Sequence, residues 1–214
     1  MSQKIDVKNV SSKDRIRKFS PVFVPSVEDV RKVFQCATTD QERLIILLAY
    51  QNGLTSADIA DLCVGQYPLE PWQVYVGDRP MSRFSWCGVS TPEIVKYLQS
   101  YLVVRGGVNG DPLFVNKKGL ELDCGAVSKI LSTVVKRVSA LNNYECIWVG
   151  FGCRSLRDGF FNALVDGSVC RFLREDLMGH SFIRMKLKDE TIRQRKFGNL
   201  VVVMQGVYPS LSLT

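Results

Sequence analysis

Helix starts and glycine stops punctuate this chain along most of its length, and over residues 68–89 the pattern changes. Ser26 is placed to cap a helix over 27–36, with Glu28 early in it, because a serine oxygen can accept a first-turn N–H. A strongly apolar helix over 42–51 is stopped by Asn52-Gly53, and a shorter one is predicted over 56–63. Thr91-Pro92-Glu93 starts another, since proline is tolerated where the first N–H has no helical acceptor, and Gly106-Gly107 ends it. Helices over 125–140, 154–165, 168–178 and 191–204 complete the series, with breaks at Gly167 and Gly179. Between Pro68 and Val89, short β-like runs around Gly77-Asp78 and Cys87-Gly88 suffice for a small sheet. The expected fold class is mainly α with a small antiparallel β-sheet.

At 214 residues, 46% of them hydrophobic, the chain can supply a real core. Its net charge of +7 favours polyanionic partners through long-range attraction and counterion release. Part of that charge lies in residues 1–20, where Lys4, Lys8, Lys13, Arg15, Arg17 and Lys18 outnumber Asp6 and Asp14. This stretch is expected to be a basic arm or linker, with the domain proper over 21–214.

Seven cysteines (Cys36, Cys63, Cys87, Cys124, Cys146, Cys153 and Cys170) are scattered without a Cys-x-x-Cys pair, and His180 is the single histidine. Neither a zinc site nor a disulfide framework fits, so most are expected to be reduced, buried small hydrophobes, with no metal or cofactor implied. No apolar run has the length of a membrane span, and the first residues lack the apolar stretch of a signal peptide. A soluble cytoplasmic protein, or one held with DNA in a nucleoid or nucleus, is expected.

Three segments, in order, resemble the catalytic domain of tyrosine recombinases, the phage-type integrase family. Residues 24–30 lead into Gly53-Leu54-Thr55-Ser56-Ala57-Asp58-Ile59, similar to the family's Gly-Leu-Arg-x-Ser-Glu-Leu turn, with Thr55 where its first catalytic arginine stands. Residues 74–90 resemble the hairpin of its catalytic lysine, but the tip reads Arg79-Pro80-Met81-Ser82-Arg83, so only Arg79 or Arg83 offers a cation. Arg154-Ser155-Leu156-Arg157 followed by Leu177-Met178-Gly179-His180 is similar to the family's His-x-Leu-Arg helix and later Leu-Gly-His. In that alignment Arg157 matches the second catalytic arginine and His180 the later histidine, while Arg154 stands where histidine or lysine is usual.

The family's nucleophilic tyrosine normally follows that histidine closely, yet residues 181–195 contain none and Tyr208 is the only downstream tyrosine. In branches that end in a tyrosine helix and a Pro-x-Leu tail, Met204 aligns better. Val207, Pro209 and Leu211 around Tyr208 also suit simple packing of its ring.

What the resemblance implies is attack of a tyrosine oxygen on a DNA phosphodiester, giving a 3′-phosphotyrosyl link without metal or nucleotide. Charge on the phosphate oxygens must then be neutralised by fixed cations, a role two arginine forks fill and a threonine hydroxyl cannot. Ground-state phosphate binding needs fewer contacts, so Arg154, Arg157 and His180 suit a DNA-binding protein with impaired or lost cleavage. Further phosphate contacts are expected from Arg184, Lys186 and Arg193 near the C-terminus and from a strip of Lys129, Lys136 and Arg137. The partner would be double-stranded DNA, with a homo-oligomer on DNA as its assembly. Where the family carries a separate N-terminal DNA-binding domain, this sequence has only the basic arm, as a fragment or a one-sided grip would. Two other readings stay open: an active integrase using Tyr208 to cut and rejoin DNA, and a protein-interaction module that kept only the fold.

Overall fold

The computed structural model describes residues 23–78, 85–142, 150–179 and 190–214, and within these it leaves out the side chains of 76–78, 85–86, 141–142 and 190–196. The arm at 1–20, the hairpin tip with Arg79 and Arg83, and His180 through Arg184 and Lys186 lie outside the described residues. Arg193 sits on a described helix, but its side chain is among those left out.

The chain enters through α1 (Val27–Gln35), whose Ser26 cap forms a reciprocal capping box with Asp29. Val30, Val33 and Phe34, spaced at three to four residues, turn its apolar stripe inward. Next comes α2 (Asp40–Gln51), which starts earlier than the apolar run alone suggested because Thr39 accepts from Glu42 N. From Leu44 to Tyr50 every side chain is buried, as a helix that is apolar all round requires. It is the central post of the domain, touching α3 (Ser56–Ala60), α4 (Pro92–Arg105), α5 (Cys124–Asn142), α6 (Cys153–Asp166) and α8 (Glu190–Leu211). Each fully buried Leu or Ile on such a post contributes roughly 1.5–3 kcal/mol relative to exposure.

Where the sequence suggested a longer helix, α3 ends at Ala60. The following residues pair instead with a distant segment, Leu113 N donating to Leu62 O and Val64 N to Asp111 O. The expected sheet is present as one antiparallel ribbon, β1 (Val74–Asp78) against β2 (Ser85–Val89), in register Val74↔Val89 through Asp78↔Ser85. Residues 68–71 do not join it: Trp72 adopts a left-handed φ of 65° where the chain turns, and backbone bonds from Trp72 N to Ser90 O and from Ser90 N to Gln73 O precede β1.

Thr91 caps α4, with Pro92 at its first turn, and Gly106 ends it at φ 65° as its sequence foretold. Arg171–Leu177 forms α7, shorter than expected because Ser168 takes a positive φ and Cys170 becomes the cap residue. The last helix exceeds its expected end at Met204 and passes through Pro209 to Leu211. Proline removes one hydrogen bond, to the carbonyl four residues earlier, and that residue, Gln205, is exposed where water can serve instead.

Among the described residues the architecture is eight helices with one two-stranded sheet. No described helix is long and apolar enough to cross a membrane. The six described cysteines are free thiols, but the expectation that most cysteines are buried does not hold among them: only Cys87 and Cys153 are buried, Cys36 and Cys63 are half-buried, and Cys124 and Cys170 lie at exposed helix starts.

Candidate functional site

The three segments singled out in the sequence converge at the end of α2. Asn52 closes the helix and Gly53 turns the chain at φ 60°. A Cβ on Gly53 would lie 2.8 Å from the Phe160 ring and 3.5 Å from Arg157 Cγ, so only glycine allows α6 to pack this closely.

Two residues on, Thr55 caps α3. Its hydroxyl and its N–H both donate to Asp58 Oδ2, at 2.7 and 2.9 Å, and Asp58 N donates back to Thr55 Oγ1 at 3.2 Å. The position matching the family's first arginine is thus engaged in a local capping box around a buried carboxylate.

On α6, Cys153, Leu156, Phe160 and Leu164 face the core at helical spacing. Arg154 is exposed, whereas Arg157, three residues later, is buried. Its Nη1 donates to Gly53 O and its Nη2 to Met178 O. Met178 caps the end of α7, and Gly179 at φ 63° leads into His180. Arg157 therefore joins the two halves of its own matching segment, 154–157 and 177–180, to the Gly53 turn of the first, in each case through the backbone. Burial, with the Asp58 carboxylate adding to it, pushes the neighbouring Cys153 thiol up to about 12, which disfavours its thiolate at neutral pH.

Tyr208 is half-buried on α8. Its ring meets Trp72 edge-on at 5.4 Å. Burial first, then the Glu93 carboxylate, raise its phenol above the ordinary 10.0. Glu93 is a buried carboxylate at the start of α4 that composition and spacing gave no reason to notice. It accepts from Gln51 Nε2 at 2.5 Å, Leu213 N at 3.0 Å, Thr214 N at 2.7 Å and Ser212 Oγ at 3.3 Å. Gln51 also donates to Leu211 O and Arg31 to Ser212 O, so residues 211–214 are fixed beside Tyr208.

The basic strip on α5 divides. Lys129 and Lys136, two turns apart, are exposed on a helix with no acidic residue. Arg137 turns away to form a bidentate pair with Glu42, at 2.7 and 2.9 Å. Burial raises the Glu42 carboxyl, but the hydrogen bonds from Arg137 and Thr38 outweigh it and hold the group below its ordinary 4.5.

No protein-family model matches this sequence, and no curated protein matches it. Solved structures do. XerA recombinase superposes with a TM-score of 0.64 at 16% identity over 82% of this chain, which spans 64% of that protein's chain. The lambda integrase catalytic core gives 0.57 at 14% identity, over 73% of this chain and 91% of its own. The Tn1549 transposon integrase, in complex with transposon right end DNA, gives 0.57 at 13% identity, over 80% and 64%. The chain has the fold of the tyrosine recombinase and integrase catalytic domain, mostly helical with a two-stranded sheet.

Proposed function

We propose that this protein binds double-stranded DNA through the recombinase fold and that its strand cleavage is impaired or lost. The observation that carries this reading is Thr55. Cleavage without a metal needs fixed positive charge around the phosphate, and removing one preorganised donor from such a clamp costs on the order of a hundredfold or more in rate. At this position stands a neutral hydroxyl, engaged with the buried Asp58 carboxylate, which brings no positive charge to a phosphate.

Tyr208 adds to the argument. A phenol raised by burial and by Glu93 resists forming the phenolate that attacks phosphorus. The alternative, an active integrase with Tyr208 as nucleophile and Arg79 or Arg83 as a replacement cation, needs the phenol to leave these surroundings.

DNA binding requires only accessible cations. Arg154, Lys129 and Lys136 are exposed, and His180, Arg184, Lys186 and Arg193 supply the remaining phosphate contacts in this reading. The DNA-bound Tn1549 integrase, similar in fold, lends it support.

The test pairs two assays. Nicked duplexes of varied sequence are incubated with the protein and resolved on a denaturing gel, while binding to an intact duplex is followed as salt rises. Expected are no covalent protein–DNA band and a log K that falls linearly with log salt. Replacing Lys129 and Lys136 together with alanine lowers that slope by about two, with no change in thermal stability. A covalent band abolished by Tyr208→Phe overturns the loss of cleavage. Binding that is weak and insensitive to salt overturns DNA as the partner and favours the protein-interaction module.

A further inference from the structure

We infer that Arg157, the side chain matching a phosphate-binding arginine, is a positioning residue that ties two helix ends together rather than a DNA contact. This reaches beyond the proposed function and concerns a residue within its site.

Arg157 meets two backbone carbonyls. Gly53 O follows the C-terminal end of α2, and Met178 O is the cap carbonyl of α7. The last carbonyls of a helix have no N–H within the helix to bond, and they carry the negative end of its dipole. A guanidinium has planar, diverging N–H groups on a fixed fork, so one side chain can serve acceptors from two directions. The Arg157 guanidinium thus has backbone acceptors inside the fold, the cap carbonyl of α7 and the carbonyl one residue past the cap of α2, and the residue is only 9% exposed.

The surrounding sequence is shaped to this role. Gly53 lacks the side chain that would collide with Phe160 and press on the Arg157 stem. Leu156 and Phe160, fully buried, fix the rotation of α6 so that position 157 faces the α2 turn. Arg154, one turn earlier, projects outward on the same helix and is the cation a phosphate would meet. A phosphate oxygen drawing the Arg157 fork outward would leave two buried carbonyls without these donors, an unfavourable exchange.

Arg157→Met, which keeps the stem but removes the fork, and Arg157→Lys, which keeps the charge on a single-headed donor, separate the two roles. Arg154→Met is the comparator. Thermal unfolding is measured for each, and duplex binding is titrated with salt well below the lowest Tm. The expected result is a Tm lowered by about 6 °C or more in Arg157→Met and by a smaller amount in Arg157→Lys. The Arg154→Met Tm stays unchanged, and the salt slope of binding stays unchanged in both Arg157 variants. A wild-type Tm in Arg157→Met, or a slope reduced by about one in that variant while fully folded, overturns the inference. If the wild-type protein binds no DNA, the proposed function fails, and the Tm comparison alone still decides the role of Arg157.

Discussion

Two buried charges flank the end of α2 and treat the backbone in opposite ways. Arg157 donates to carbonyls at and just past helix ends, whereas Glu93 accepts from the amides of Leu213 and Thr214, from the Ser212 hydroxyl and from Gln51. The first is a cation among carbonyl oxygens, the second an anion among N–H and O–H donors, and the end of α2 presents Gln51 to the anion while the turn after it presents Gly53 to the cation. Glu93 has no basic side chain among these partners and relies on neutral donors. The difference teaches that a charge at the position of a family's reactive group need not face a ligand. The internal bonds of Arg157 are of the same kind as those of Glu93, for which no ligand is in question.

Removing the anion should break this symmetry most. Glu93→Ala leaves several buried donors without an acceptor, and a loss of about 3 kcal/mol in urea unfolding is expected. Glu93→Gln keeps one oxygen but turns an amide N–H₂ toward other donors, so it recovers only part of the loss. Equal stability in all three proteins would show that the seat of residues 211–214 contributes little and that the two charges are not comparable.

A third charged site sharpens the contrast, because Glu42 is held by an arginine and not by neutral donors. Arg137→Met should cost about 1–2 kcal/mol at neutral pH, discounted because the pair is partly exposed. Glu42 is lowered in the folded protein, so its contribution is present above the ordinary value of 4.5 and is lost as pH falls through the lowered one. The gap between wild type and Arg137→Met therefore closes on acidification below 4.5. Denaturation curves at neutral and strongly acidic pH check it, and a gap independent of pH would assign the arginine a packing role instead.

The smallest effect belongs to Thr55. Thr55→Ala removes a capping oxygen and should cost about 1 kcal/mol, while leaving the salt slope of DNA binding untouched. A change in that slope would return position 55 to the binding surface.

Much of this architecture was legible in the residues. Capping residues and glycine stops marked the starts and ends of most helices, because both act through local backbone chemistry. The Thr-x-x-Asp spacing at residues 55–58 is itself a helix-start signature, but the match to the family's turn draws attention to the missing arginine and not to the cap. Partnering across the fold was not legible. Arg137 and Lys136 are neighbours in sequence, but a helix turns about 100° per residue, enough to put one against Glu42 and the other in solvent. Glu93 could be read as a helix-start acid, since its acceptor role depends on residues 51 and 212–214 arriving from elsewhere. Arg157 was found by motif, but a motif reports residue identity and not which way the fork faces.

The seat of the last residues has a consequence for the order of folding. Arg31 reaches Ser212 across 181 positions of sequence, Gln51 reaches Leu211 across 160, and Glu93 reaches Leu213 across 120. Closing loops of that length is slow compared with forming helices. As the chain leaves a ribosome, α1, α2 and α4 emerge long before their partners at 211–213, so the polar groups that hold the ends together must remain hydrated until synthesis has passed those residues. Contacts of residues 31, 51 and 93 with residues 211–213 can form only after that later stretch has been made, whatever the helices before it have already done.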